Sequence, residues 1–442
     1  MNLVDSIVSG KIFWRGRLMD GAIAIDNGKI VDIGLEDNLP KADKYHRFID
    51  KIILPGLIDV HVHLRDQDLS YKETFESGSM AAAAGGFTTV LDMPNNSPPT
   101  DSPSRFKERV NLALNKIYVN VGFYSLFPKN LSEIYEIASL GPVGFKVYLN
   151  RPIGCIDPND NETIRSYLKV CSEIGIPVVF HAEDYYMIHS LEEEFKSSKE
   201  FMGFIKSHPI SAEVKAVSRI LNFVRDINCR VHIAHVTSGL IIDLISNFKD
   251  LVTCEVTPHH LFLTWDYLKF LGGIGKMEPP LRSIFDVISL WVKVSNGVVD
   301  IIADDHAPHS IEEKIGDDFW IIKSGVPGLE TTVPLMLTAV NHGLLDIECL
   351  VKLMSFNPSK IFNLKGRGSI DIGFNADFTI IDLHNDWVID SSKFFSKAKF
   401  SPFDGFKVKG KVYSTFVNGI MVYCDGEILC KGGEIVFGGI RC

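Results

Sequence analysis

Eight apolar runs of strand length follow one another between residues 57 and 309, and they limit the possible folds more than any other feature of the chain. They are LIDVHVHL (57–64), FTTVLDMPN (87–95), VNVGFYSLF (119–127), GFKVYLN (144–150), IPVVFHAED (176–184), RVHIAHVTS (230–238), VTCEVTPHH (252–260) and VVDIIADDHAPH (298–309). Stretches with helical spacing, such as ETIRSYLKVCSEIG (162–175) and AEVKAVSRILNFVRDI (212–227), lie between several of them. Strand, helix, strand in repeating order makes a parallel sheet. The expected fold is therefore α/β, a (β/α)8 TIM-like barrel over residues 55–364, with a doubly wound open sheet as the competing arrangement. The barrel is preferred because most runs carry His, Asp, Asn or Lys at or near their ends, where the loops of a barrel converge on one face.

The two ends of the chain read differently. GAIAIDNGKIVDIG (21–34), NADFTIIDL (375–383) and GKVYSTFVNGIMVY (410–423) are short alternating or β-branched pieces split by Gly and Asn, which predicts hairpins. Neither end alone buries a core easily, so residues 1–54 and 365–442 are expected to join into one small β-domain beside the barrel.

Composition narrows the function classes. A formal charge of -10, with no Lys/Arg block, argues against a general nucleic-acid binder. The eight cysteines, at 155, 171, 229, 254, 349, 424, 430 and 442, form no C-x-x-C pair and read as mostly buried thiols in a reducing compartment. MNLVDSIVSG (1–10) lacks the basic start and apolar core of a signal peptide, and no later run is long enough to span a bilayer, so the expected location is cytoplasmic.

The chemistry starts at His61-Val62-His63. Alternation along a strand sends residues 61 and 63 to one face, so two imidazoles point together. Later runs add Lys146, His181, His235 and Asp305. Four histidines and a carboxylate suit zinc or a similar divalent ion, and they exceed what one tetrahedral ion needs. Lys146 is the odd member, since an ammonium has no lone pair to offer. It is either a salt-bridge lysine or one carbamylated by carbon dioxide into an anionic ligand.

At these residues the chain resembles the amidohydrolase superfamily and, within it, the dihydroorotase family. The resemblance covers nearly the whole chain and rests on PGLIDVHVHLR (55–65), GGFTTVLDMPNNSPPT (85–100), GFKVYLN (144–150), HAE (181–183), DHAPH (305–309) and GVPGLETTVPLMLTAV (325–340). It implies a binuclear metal site, with His61, His63 and Asp305 on a first ion, His181 and His235 on a second, and carbamylated Lys146 bridging them. The implied reaction is the reversible hydrolysis of (S)-dihydroorotate to N-carbamoyl-L-aspartate in pyrimidine biosynthesis. A hydroxide bridging the ions would be the nucleophile and Asp305 the catalytic proton shuttle. Arg65, two residues beyond His63 and so placed on the same face, is the first candidate for the substrate carboxylate. Asn95, His309 and backbone near Gly325 are the other substrate contacts that the resemblance implies. It leaves open homo-oligomers or a complex with aspartate carbamoyltransferase, which some relatives form.

Three positions depart from the family pattern. Glu278 in KMEPPLR (276–282) stands where many relatives have a small polar residue, and its carboxylate either repels an anionic substrate or pairs with Lys276 or Arg282. Asp304 precedes Asp305 where Thr or Ser is common. Ala234 stands before His235 where some relatives have a cysteine serving an additional metal, which leaves two ions expected. Among the remaining histidines, His46, His189, His208, His342 and His384 read as surface or packing residues. His232 lies three positions before His235 and is expected to face outward. His259, His260 and His306 receive no role, and the segment from Arg151 to Asn161 is the candidate for a loop over the site. Allantoinases and dihydropyrimidinases share the metal cage and form the nearest alternative. An inactive scaffold relative would usually lack metal ligands, and here all six positions are filled.

Overall fold

In the computed structural model, which describes residues 3–438, the eight apolar runs become eight consecutive strands of one parallel sheet. Four strands precede them: β1 (Val4–Trp14), β2 (Arg17–Asp26), β3 (Lys29–Gly34) and β4 (Ala42–Pro55). The barrel strands are β5 (Leu57–Val62), β6 (Phe87–Asp92), β7 (Asn120–Leu126), β8 (Gly144–Tyr148), β9 (Val178–His181), β10 (Val231–Ile233), β11 (Val252–Val256) and β12 (Ile301–Ile302). Each pairs in parallel with the next, in chain order. A bridge between Val62 and His306 joins the two edges, with the His63 amide donating to the His306 carbonyl at 2.8 Å. The edges that an open sheet would leave unpaired are thereby brought together.

Period-two alternation divides the side chains between two cores. Ile58, Val60, Leu91, Met93, Tyr124, Val179, Ala234, Ile301 and Ala303 come from strands all around the sheet yet form one buried cluster, the barrel interior. Their neighbours, such as Leu57, Val90, Phe145, Val147, Phe180 and Ile302, pack outward under the helices. The helix predicted at 162–175 spans Asn161–Ile174, capped by the Asp160 carboxylate, which accepts from the Thr163 amide, and closed by Gly175 at φ +70°.

The chain ends build the second sheet, with β13 (Phe378–Val388), β14 (Lys407–Val417), β15 (Ile420–Cys424) and β16 (Glu427–Ile428) completing it. Its order is β16-β15-β14-β13-β4-β1-β2-β3, antiparallel throughout except for the parallel β1–β4 pair. The expected hairpins are β2–β3 and β14–β15, while β13 joins the two ends of the chain by pairing with β4. Only three of the seven cysteines among the described residues are buried, fewer than expected, and Cys442 lies outside those residues. Among the described residues no helix is long and apolar enough to cross a membrane.

Candidate active site

A cavity of about 320 Å³ opens at the ends of the barrel strands, lined by His61, His63, Arg65, Asn95, His181, His235, Asp305, His309 and Gly325 from the sequence-level candidates. Lys146 lies beneath it, 1 % exposed. Strand ends bring these side chains together because β8 and β9 end at paired residues, Tyr148 and His181, and the chain turns sharply after β10 and β12. His235 at φ +38° and Asp305 at φ +48° mark those turns.

His61 and His63 converge on one carboxylate oxygen. Their Nε2 atoms lie 3.3 and 3.2 Å from Asp305 Oδ1. The opposite nitrogens are held from behind: His61 Nδ1–H donates to Glu255 Oε1, and His63 Nδ1–H donates to Asn95 Oδ1 at 2.6 Å. Each ring thus presents an Nε2 lone pair to the cavity, the tautomer that binds a cation. His181 Nε2–H donates to Glu183 Oε2 at 2.7 Å, which leaves its Nδ1 for the cavity. Ligand atoms of His61, His235 and Asp305 lie within 4.8 Å of one another. His235 Nδ1 and Lys146 Nζ are buried without any hydrogen-bond partner. Imidazole nitrogens and a carboxylate oxygen converging on one point fit a divalent metal site.

The charges follow from burial and contact. Burial pushes His63 down to about 3 and Lys146 down to about 8. Burial opposes ionisation of Asp305 too, but His61, His63 and His235 outweigh it and hold the carboxyl well below its ordinary range. Asp59 and Asp304 are a buried carboxyl pair on β5 and just past β12. Asp59 accepts from the amides of His61 (2.8 Å) and Asp304 (3.0 Å), and Asp304 accepts from the His306 amide at 2.6 Å. Burial raises Asp59 to about 8 and raises Asp304 as well, and their accepted amide bonds fix the backbone beneath His61 and Asp305. Asp304 does not line the cavity, whereas Asp305 does.

Arg65 is 8 % exposed, and its guanidinium makes one hydrogen bond, from Nε to Pro308 O at 3.4 Å, and no ion pair among the described residues. Its position does not come from strand parity, since β5 ends at Val62 and Arg65 sits at φ +54°. His309 accepts from Lys72 Nζ at 3.0 Å and donates to Ser324 O at 3.0 Å, so both its nitrogens are engaged. Gly325, at φ +134°, leaves no room for a side chain: a Cβ would lie 2.5 Å from Ala307 O. Its amide donates to Lys276 O at 2.9 Å.

Some expectations are overturned. His232 faces the barrel interior, not outward: its Nε2–H donates to Glu255 Oε2 at 3.0 Å, on the carboxylate that also holds His61. His232 lies between the outward Val231 and Ile233 on β10 and so faces inside, while the turn at His235, past the end of the strand, brings His235 to the cavity against parity. His208, expected at the surface or in packing, is of the packing kind: it is fully buried, 3.0 Å from Glu183 Oε1. Burial alone would lower His208, but the Glu183 carboxylate raises it to about 9. Glu278 pairs with neither Lys276 nor Arg282. It binds Arg151, while Lys276 donates to the Phe319 and Ile322 carbonyls and Arg282 to Glu213.

Of the three unassigned histidines, His260 is tied to Thr257 and to Pro279 O, and His306 Nδ1 accepts from the Gly328 amide. His259 is buried nearby and pushed by burial to about 4. Arg151 and Ile153 line the cavity, as the loop expectation requires, but so do residues 320–325. Tyr148 and Asn150 line it too, with Tyr148 OH and Asn150 Oδ1 buried and unpartnered. They follow Lys146 at steps of two, and that alternation was available to find them.

The comparisons with known proteins agree with this geometry. The sequence matches the profile of the Amidohydrolase family over residues 52–422. It is 37% identical to the dihydroorotase of Pyrococcus furiosus over 97% of this chain and 95% of that one. It is 38% identical to the dihydroorotase of Acetivibrio thermocellus over 92% of this chain and 95% of that one. Among solved structures, an L-hydantoinase (dihydropyrimidinase) from Arthrobacter aurescens superposes with a TM-score of 0.95 at 32% identity, covering 98% of this chain and all (100%) of that one. A dihydropyrimidinase from Brevibacillus agri, at 23% identity and a TM-score of 0.91 over 99% of both chains, shares the fold.

Proposed function

This chain belongs to the amidohydrolase family, and from that premise we propose that it is a dihydroorotase, interconverting (S)-dihydroorotate and N-carbamoyl-L-aspartate for pyrimidine synthesis in the cytoplasm. The observation that carries the substrate class is Arg65, a buried guanidinium beside the metal-binding cluster with no counter-ion of its own. A buried cation left unpaired is costly, and a substrate carboxylate meets that need with a two-pronged contact. Asn95 Nδ2 and the His309 edge of the cavity complete that end.

His61, His63 and Asp305 would hold one divalent ion, His181 and His235 a second, and Lys146 both, zinc being the ion that best suits imidazole and carboxylate. Lys146 would do so as its carbamate, because an ammonium with no acceptor is expensive to bury and the carbamate turns it into an oxygen donor. When bound, such ions acidify water and polarise the amide carbonyl. The chain's own groups do the rest. Arg65 and Asn95 hold the carboxylate and so aim the ring amide at the cluster. Asp305 Oδ1 faces the two imidazoles, which leaves Oδ2 to take the proton released as water adds to the carbonyl carbon. The same oxygen returns the proton to the ring nitrogen as the carbon–nitrogen bond breaks, and the reverse order closes the ring. Homo-oligomers or association with aspartate carbamoyltransferase rest on the resemblance alone.

The likeness to the L-hydantoinase favours a second reading, hydrolysis of uncharged cyclic amides. A substrate panel separates the two. Purified protein with zinc is offered dihydroorotate, carbamoyl aspartate, allantoin and dihydrouracil, and the first two are expected to turn over. Arg65→Met is expected to raise KM for dihydroorotate about 30- to 150-fold, the worth of a charged hydrogen-bonded pair. Turnover of allantoin or dihydrouracil alone would overturn the dihydroorotase reading.

A further inference from the structure

Glu278 is the one carboxylate among the described cavity-lining residues that neither the metal cluster nor the carboxylate end accounts for. Its side chain is 15% exposed and joins three loops: Oε2 accepts from Arg151 and from Asn150 Nδ2 at 3.3 Å, and Oε1 accepts from Ser324 Oγ at 2.9 Å. A carboxylate offers about four lone-pair positions, so these three contacts leave one open, on Oε1. Asn150 spends its amide nitrogen on Glu278 and keeps Oδ1 buried, at 7 % residue exposure, without a donor. Two acceptors in contact with each other thus line one wall of the cavity, and neither is saturated.

This wall stands apart from the carboxylate end. Glu278 is held by Asn150 and Arg151, which follow β8, and β8 stands three strands round the barrel from β5, which Arg65 follows. Arg65 would repay a carboxylate, and Glu278 with Asn150 would repay N–H donors. In a six-membered dihydropyrimidine ring the carbon bearing the carboxylate lies across the ring from the nitrogen of the amide that is cut. Anchoring the carboxylate on Arg65 therefore turns that N–H toward the opposite wall. In the opened product the same nitrogen is a primary amide with two N–H groups, so an acceptor there suits both directions.

We propose that Glu278, its Oε1 oriented by Ser324 and assisted by Asn150 Oδ1, is a specificity-determining residue that accepts the N–H of the scissile ring nitrogen. The role rests on the cyclic-amide hydrolase reading above and deepens it. It assigns to the carboxylate a use other than repelling the substrate: its negative charge is already balanced by Arg151, and its open lone pair faces a donor.

The test compares kcat/KM for dihydroorotate with kcat/KM for its analogue methylated on the scissile nitrogen, in the metal-loaded wild type, Glu278→Met, Glu278→Gln and Arg151→Met. The preference for the N–H substrate is expected to fall about tenfold or more in Glu278→Met, the worth of a hydrogen bond to a charged acceptor. Glu278→Gln should recover part of it, and Arg151→Met should keep it. An unchanged preference in Glu278→Met overturns the proposal. So does an equal fall in Arg151→Met, which would mean that Glu278 acts only by holding the loop. Should the wild type open hydantoin and not dihydroorotate, the same ratio measured with hydantoin and its N-methylated form tests Glu278 independently of the carboxylate reading. Thermal midpoints of the variants verify that each is folded.

Discussion

Two regions of the molecule each bury a lysine to about 1 % exposure, Lys314 and Lys146, and they treat it in opposite ways. Behind the cavity-lining segment 320–325, Lys314 is 1 % exposed and donates to the carbonyls of Lys276 (2.9 Å), Lys323 (2.8 Å) and Gly325 (2.8 Å). All three ammonium hydrogens are spent, and the segment 314–325 is drawn onto the barrel. Under the cavity floor, Lys146 is buried to the same degree and donates to nothing. The Tyr148 ring lies 5.2 Å from its Nζ. Burial is equal, so burial does not separate a structural lysine from a functional one. What separates them is the hydrogen-bond account: a buried donor that the fold satisfies builds the fold, and one it leaves open awaits a ligand or a chemical change.

Exchanging each lysine breaks this contrast if it is wrong. Lys146→Ala is expected to lower activity by at least about 1000-fold, equivalent to about 4 kcal/mol of transition-state stabilisation, with little loss of stability. Small carboxylic acids should restore part of the activity by entering the space and supplying the missing oxygen ligands. Metal content, unfolding midpoint and rate are measured on one preparation. Full activity with the metal retained would remove Lys146 from the site.

Lys314→Met should do the reverse. Three buried carbonyls lose their donor, so a stability loss of about 2 kcal/mol is expected in urea unfolding, moderated because the cost of burying an ammonium disappears as well. Activity should fall only several-fold, mainly through KM, as residues 320–325 loosen along the cavity. An inactive but fully stable Lys314→Met would erase the distinction between the two regions.

The same contrast governs how much was legible beforehand. Period-two runs and the helices between them gave the eight strands and their order, because alternation and helical spacing are local properties. The polar residues at the ends of those strands gave the metal-binding candidates for the same reason, and alternation past Lys146 would have added Tyr148 and Asn150. The supports beneath them were hidden. Glu255 reaches His61 from 194 positions away, and Glu183 reaches His208 from 25. Local periodicity carries no information on such pairs. Parity also misleads past a strand end: the turn at His235 broke its parity with His232, which the strand faces inward, while Arg65 reached the cavity from a left-handed turn and not from the strand.

His208 sharpens the comparison with a third treatment of a buried cation, neutralisation by carboxylates. The imidazole lies 3.0 Å from Glu183 Oε1 and 3.6 Å from Glu192 Oε1. Its folded-state value of about 9 lies above the ordinary 6.5. The folded state therefore binds the proton more tightly than the unfolded chain, and the resulting stability is fully present below about pH 6.5 and lost as pH rises through about 9. The wild type should unfold at progressively lower temperature between pH 6.5 and 9.5, by an amount that His208→Gln largely removes. This effect is smaller than the others because Glu183 keeps a second partner in His181, 2.7 Å away, when the charge on His208 is gone. Identical pH slopes for the two proteins would mean that His208 is neutral in the fold, and that this region satisfies its carboxylate through His181 alone.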